Sequence, residues 1–208
     1  MPVNVVQLNL GNCRDEAGLL LGRFNDLKPD IVLLQDAHLT REGKISRLSS
    51  LDIFSSQLVN GSLPPPVPAH TGLNTATIII NPHLTCDLLP DFSNEDMTCT
   101  LISSNSFKFI ILNVYFRPTR SDLPDRVIDP HLTVIRQLVE GSIYQHLPII
   151  ITGDMNARHG VWHDHDTNQN GNLLSEFVVD FQLNIANLRD VGPTFVRGND
   201  RSTIDLTI

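Results

Sequence analysis

Four short segments of this 208-residue chain share one layout, an apolar run that closes on an amide, an acid or a phenol. They are Gln7-Leu8-Asn9-Leu10-Gly11, Leu33-Leu34-Gln35-Asp36, Leu112-Asn113-Val114-Tyr115 and Ile151-Thr152-Gly153-Asp154-Met155-Asn156. Strand ends hold side chains on a rigid sheet beside an open loop, which is where reactive groups collect. Carboxylates such as Asp36 and Asp154 suit a hard cation like Mg²⁺, which keeps several of its waters for a phosphate substrate. Asn, Asp and Tyr add neutral hydrogen bonds and a base for a hydrolytic water. No Ser/His/Asp arrangement and no glycine-rich phosphate loop accompanies them, which points away from covalent catalysis and P-loop chemistry.

Taken singly, each residue also has a bland role. Asn9 reads as a turn former before Gly11, Asp36 as a cap for the turn or helix after it, and Tyr115 as a half-buried strand aromatic. The glycine, acid and amide directly after Ile149-Ile150-Ile151 are harder to dismiss, since all three are poor strand residues. Four such segments in order carry more than any one alone.

The elements that must hold these residues are legible in the hydrophobic pattern. Runs rich in Val, Ile and Leu predict strands at Val3–Leu10, Asp30–Gln35, Thr75–Ile80, Thr98–Ser103, Phe107–Phe116, Pro148–Thr152 and Thr203–Ile208. Several are continuously apolar, as in strands buried on both faces. Ala17–Leu27 carries Leu19, Leu20, Phe24 and Leu27 on one helical face, and Pro29 stops it. Asp129 reads as an N-cap before Pro130, with Leu132, Ile135, Leu138 and Val139 as the apolar stripe. Leu173, Leu174, Phe177, Val178 and Phe181 predict a third amphipathic helix. Asn60–Gly72, with Pro64, Pro65, Pro66 and Pro68, reads as an extended or poorly ordered excursion and not a domain linker. The alternation gives one mixed α/β layered domain over residues 1–208.

Composition narrows the setting. No apolar run approaches the roughly 18–20 residues that span a membrane. Met1-Pro2-Val3-Asn4-Val5 lacks the basic and apolar regions of a signal peptide. Cys13, Cys86 and Cys99 show neither a disulfide framework nor zinc spacing, so a reducing intracellular compartment is expected. A net charge of −8 argues at first against nucleic acid, but net charge hides distribution. Only Lys28, Lys44 and Lys108 are lysines, and arginine is the better fork for phosphate. Arg117, Arg120, Arg126, Arg158, Arg197 and Arg201 flank predicted strands, where they read as solvated surface or as a phosphate footprint. Trp162-His163-Asp164-His165-Asp166 alternates potential ligands, and a solvated loop is preferred over an accessory metal site.

In order, the four segments resemble the motifs of the superfamily of apurinic/apyrimidinic endonucleases, pancreatic deoxyribonuclease and inositol-phosphate phosphatases. The match narrows further along. Gly153-Asp154-Met155-Asn156-Ala157-Arg158-His159-Gly160-Val161-Trp162, Asn170-Gly171-Asn172-Leu173-Leu174, Pro193-Thr194-Phe195 and Ser202-Thr203-Ile204-Asp205-Leu206-Thr207 are similar to the endonucleases of jockey-type and related insect non-LTR retrotransposons. The likeness covers nearly the whole chain and is weakest over Thr40–Asn74.

The resemblance implies a four-layer α/β/β/α sandwich and a Mg²⁺-dependent endonuclease that nicks DNA to prime a downstream reverse transcriptase, hence nuclear and not membrane-bound. It implies Asn9 and Asp36 at the metal, Tyr115 at the scissile phosphate, Asp154 on the attacking water and Asn156 at the transition state. Asp205 matches the acid that orients a catalytic histidine. Arg117, Arg120, Arg158, His159 and Arg201 would contact DNA. Two departures stand out. Where the family reads Gln-Glu this chain has Gln35-Asp36, withdrawing the carboxylate by about 1.5 Å. The family's terminal Ser-Asp-His motif lies beyond the strand of Asp205, and the sequence stops at Ile208, so a domain truncated at its C-terminal strands and catalytically impaired is expected. The competing readings are a phosphatase of the same superfamily and a DNA-binding module that has lost catalysis.

Overall fold

The computed structural model describes residues 2–11, 26–37, 73–118, 128–141 and 146–208. All but the last two residues of the predicted helix Ala17–Leu27, the proline-rich stretch 60–72, Cys13, His38, His70, Arg120 and Arg126 lie outside the described residues.

Two sheets face each other. The first is β1 (Val5–Asn9), β2 (Ile31–Ala37) and β3 (Leu73–Ile79), with β1 parallel and β3 antiparallel to β2. The second contains β4 (Thr85–Leu88), β5 (Met97–Ser103), β6 (Lys108–Tyr115), β7 (Ile149–Asp154) and β10 (Asp205–Thr207), in the order β10-β7-β6-β5-β4. Only β6 and β7 are parallel here, joined by a crossover through helix α1 (Asp129–Glu140). Helix α2 (Gln169–Asp180) follows β7, and a small hairpin of β8 (Phe195–Arg197) and β9 (Asp200–Ser202) precedes β10. Among the described residues this gives an α/β mixture of sheet on sheet with helices outside the larger sheet.

Burial explains the layering. Ile110, Leu112 and Val114 of β6 face outward onto Leu132, Ile135 and Leu138 of α1 and Leu174 and Phe177 of α2, in one buried cluster. Each such aliphatic side chain contributes roughly 1.5–3 kcal/mol. Between the sheets the character changes along the strands. At one end Ile31, Leu33, Ile79, Leu84, Cys86, Ile102 and Ile111 form a dry cluster. Toward the other end the contacts are polar: Gln35 Nε2 donates to Asn113 Oδ1 at 2.6 Å, Thr75 and Thr98 hydroxyls pair at 2.8 Å, and Thr152 Oγ1 donates to Gln7 Oε1 at 2.8 Å. Asn113 completes its amide on the carbonyls of Leu34 and Ala76, whereas buried Gln35 Oε1 and Thr77 Oγ1 find no partner among the described residues.

Several local expectations need correction. Asp129 is the first residue of α1 and not its cap; Ile128 occupies the cap position with no side-chain bond, and Asp129 serves the helix by its charge in the first turn. Strand β7 runs on through Gly153-Asp154, because Val114 and Tyr115 of β6 and Leu206 and Asp205 of β10 still pair with those residues. The last predicted strand is shorter at its start, since the N–H groups of Ile204 and Asp205 donate instead to Thr194 Oγ1 at 3.1 and 3.0 Å. The Trp162–Asp166 loop is not simply solvated. Asp164 is buried and accepts the Thr203 N–H at 2.7 Å, while the Trp162 ring is fully buried with Nε1 donating to the Ala157 carbonyl at 3.1 Å. Strand β4 and the β8–β9 hairpin have no counterpart among the strands that the hydrophobic pattern predicts.

Candidate active site

The strand ends converge. Asn9 closes β1 and Asp36 stands one residue before the end of β2, in the smaller sheet. Tyr115 closes β6, Asp154 closes β7, and Asp205 opens β10, in the larger one. Parallel pairing sets Tyr115 beside Asp154, and antiparallel pairing sets Asp205 on its other side. With Asn156, all six line a single open cleft of about 1270 Å³ between the sheet ends. Gln7, Arg158, Asn168, Thr194 and the hairpin residues Phe195, Val196, Arg197 and Asp200 line it too.

Backbone geometry at the cleft is demanding. Gly153 has φ +150°, and a Cβ there would fall 1.9 Å from the Val114 carbonyl oxygen, so only glycine lets β7 approach β6 just before Asp154. Asp36 and Asn156 have φ of +46° and +43°, a region open chiefly to Gly, Asn and Asp. Their residue types therefore answer to the backbone as well as to chemistry.

Asp154 is the most perturbed of the six. Burial first, then the charges of Asp205 and Asp36, push its carboxyl up to about 7, against the opposing hydrogen bonds from Asn156 and Asn9. The Asn9 Nδ2 group donates to Asp154 Oδ2, and the Asn156 N–H donates to Oδ1 at 3.0 Å. Asn9 is thus a clamp on Asp154, with its own Oδ1 taking the Gly11 N–H at 2.7 Å. Burial raises Asp36, and burial raises Asp205 against hydrogen bonds from Thr194 and Gln7. Gln7 Nε2 donates to Asp205 Oδ1 at 2.8 Å; among the described residues no histidine bonds to it. Tyr115 is pushed up to about 12 by burial and by the Asp36 and Asp154 charges, so it remains a phenol and a proton donor. Asn156 Nδ2 donates to the Phe116 carbonyl at 2.7 Å, which fixes the amide and leaves its second proton for another acceptor.

The arginines divide. Arg158 lines the cleft but is ion-paired to Asp200 and Asp166. Arg117 is turned away onto Glu95 and buried Asp96, at 2.7 and 3.0 Å. Burial pushes Asp96 up, but hydrogen bonds from His131 and Arg117 outweigh it and hold the carboxyl low. His159 caps the short turn Gly160–Trp162, its Nδ1 accepting the Val161 N–H at 3.1 Å, and its ring packs on Trp162. Arg201 is exposed on β9 and does not line the cleft. Arg117, His159 and Arg201 are therefore not gathered with the six, and Arg120 lies outside the described residues. Arg197, which the sequence marks only as flanking a strand, does line the cleft, as do Gln7 and Thr194.

The donor set fits a divalent cation. Three carboxylates with raised pKa face one cleft, and among the described residues none of Asp36, Asp154 and Asp205 is ion-paired to Lys or Arg, so the charge is uncompensated. Among the described residues no three of His, Cys, Asp and Glu come close enough to hold a metal unaided. Mg²⁺ asks for less, one or two carboxylates plus water and substrate oxygens.

The chain shares its mixed α/β, sheet-on-sheet fold with solved structures of other proteins. The endonuclease domain of TRAS1, a telomere-specific non-LTR retrotransposon, superposes with a TM-score of 0.73 at 22% identity, covering 99% of this chain and 84% of that one. A 3′ phosphatase, NExo from Neisseria bound to a product DNA hairpin, gives 0.65 at 14% identity over 99% and 86%. D. rerio TDP2 complexed with a single-strand DNA product gives 0.62 at 10% over 99% and 82%. No curated protein matches the chain. Residues 109–208, from within β6 through β10, match the model of the family described as Endonuclease-reverse transcriptase. Among the described residues no helix is long and apolar enough to cross a membrane.

Proposed function

We propose that the cleft hydrolyses phosphodiester bonds of DNA in a Mg²⁺-dependent reaction, nicking a target strand and leaving a 3′-hydroxyl that primes reverse transcription for a non-LTR retrotransposon. The observation that carries this reading is the convergence in one cleft of buried Asp154, its carboxyl pushed up to about 7 chiefly by burial, with the donors Asn9, Asn156 and Tyr115. A general base works best when its pKa lies near the working pH.

Above neutrality Asp154 is ionised and takes a proton from a water directed at phosphorus. The water oxygen forms the new bond to phosphorus, the bond to the 3′ oxygen breaks, and that oxygen takes a proton from solvent water to become the hydroxyl. Asn9 and the Asn156 N–H hold the Asp154 carboxylate in one orientation, while Asp205 keeps its ionisation close to neutral. Tyr115 donates to a phosphoryl oxygen, and the second amide proton of Asn156 stabilises charge in the transition state. Asp36, with Asn9, would hold Mg²⁺, which when bound supplies charge neutralisation for the phosphate. Nucleic acid in two of the similar structures and a retrotransposon source in the third support DNA as the substrate. A reverse transcriptase domain of the same polyprotein and a nuclear location accompany this role.

The test sets supercoiled plasmid against inositol phosphates, with Mg²⁺, from pH 5.5 to 9. Nicking should rise from the acidic end of this range as Asp154 ionises, level off toward the alkaline end, and vanish in Asp154→Ala. A phosphomonoesterase would instead release phosphate from the inositol compounds and leave the plasmid closed. That result, or nicking indifferent to pH, overturns the assignment.

A further inference from the structure

The β8–β9 hairpin forms one wall of the cleft, yet three residues a side give such a ribbon almost no stability of its own. Its base is fastened: Thr194 Oγ1 accepts from Ile204 and Asp205, and buried Asp164 accepts from Thr203. Nearer the tip one attachment stands out. Arg158 forks onto Asp200, Nη1 to Oδ1 at 3.3 Å and Nη2 to Oδ2 at 2.9 Å, and Nη1 also reaches Asp166 at 3.2 Å. Arg158 has a rigid footing. Its N–H donates to Asn168 Oδ1 and its carbonyl accepts the Asn168 N–H, both at 3.0 Å. That carbonyl also lies so close to Gly171 that a Cβ there would come within 1.8 Å.

We propose that Arg158 is a positioning residue, a tether that ties the hairpin wall to the loop following Asp154 and Asn156 and so fixes the width of the cleft. It is not itself a phosphate ligand. Two carboxylates already more than match its charge, and a phosphate would have to displace Asp200 to reach the fork. The consequence for DNA rests on the proposed function; the tether itself does not.

Arg158→Ala, Asp200→Ala and the exchanged pair Arg158→Asp with Asp200→Arg separate the possibilities. All are made in the full chain carrying Asp166→Asn, so that the exchanged carboxylate meets no like charge. Hydrogen exchange over residues 194–202, measured without DNA, should quicken roughly two- to tenfold in either alanine variant and recover in the exchanged pair. Plasmid nicking should follow the same pattern, with KM raised more than kcat falls. A direct phosphate ligand behaves differently: Asp200→Ala frees the arginine and tightens DNA binding, and the exchanged pair stays as defective as Arg158→Ala. Either result, or unchanged exchange in Arg158→Ala, overturns the tether. The expected exchange pattern in a chain that neither binds nor nicks DNA supports the tether and overturns the proposed function.

Discussion

Replacing Asp154 by Asn should make the protein more stable and chemically inert at once. In the fold this carboxyl is pushed up to about 7 from an ordinary 3.8, because burial and the Asp205 and Asp36 charges disfavour its ionised form. A carboxyl raised on folding withdraws stability as pH increases. Below 3.8 both states are protonated; between 3.8 and about 7 the unfolded chain ionises while the fold stays protonated; above that the penalty levels off. At about 1.36 kcal/mol per pH unit the full penalty is about 4 kcal/mol, of which about 2–3 kcal/mol develops between roughly pH 5 and 8. Asn escapes the penalty but loses one acceptor used by Asn9 or the Asn156 N–H, a pH-independent cost of about 1 kcal/mol. The variant should therefore lie within about 1 kcal/mol of wild type near pH 5 and be about 3 kcal/mol more stable near pH 8, on the order of 10 °C in Tm. Urea and thermal melts of both proteins at the two pH values, in chelator, read this directly. Added Mg²⁺ should narrow the gap at the higher pH, since a cation relieves the same repulsion. An equal gap at both pH values, or a wild type that strengthens as pH rises, would refute the electrostatic account of the site.

Two further perturbations probe the metal position and the packing behind Arg158. Asp36→Glu restores about 1.5 Å of reach, and half-saturating Mg²⁺ for nicking should fall roughly three- to tenfold; an unchanged magnesium titration would mean that Asp36 is not at the metal. Gly171→Ala drives a methyl group against the Arg158 carbonyl and should cost about 2–4 kcal/mol in a urea melt, whereas an ordinary helix position would gain from the change.

The long buried strands were legible because their residues are apolar in unbroken runs, and the four site segments could be read because each closes such a run. Strand β4 was not, since its four residues include one buried side chain, Cys86. The hairpin strands are three residues each and largely exposed, too short for a period to show, and their signal was the Gly198-Asn199 pair, a two-residue turn between paired Arg197 and Asp200. Partner choice was the least legible property. Asp164 meets a backbone N–H 39 residues away, Arg158 meets Asp200 at a distance of 42, and Asp96 draws in Arg117 and His131 from different elements. No local pattern carries such pairings, which is why arginines near strand ends looked equivalent when the fold treats each differently.

The polar seam between the sheets decides where this molecule comes apart. Its dry end is held by burial, whereas the end beneath the cleft is held by a few directional bonds among Gln7, Gln35, Asn113 and Thr152, which water can replace one at a time. Sub-global opening should begin there, with the larger sheet and its two helices persisting as the more stable cooperative unit. Asn9 and Asp36 ride on one sheet, Tyr115, Asp154 and Asp205 on the other, so a partly opened molecule keeps most of its secondary structure and none of its assembled chemistry. Enzymatic activity would then be a finer gauge of sheet docking than circular dichroism.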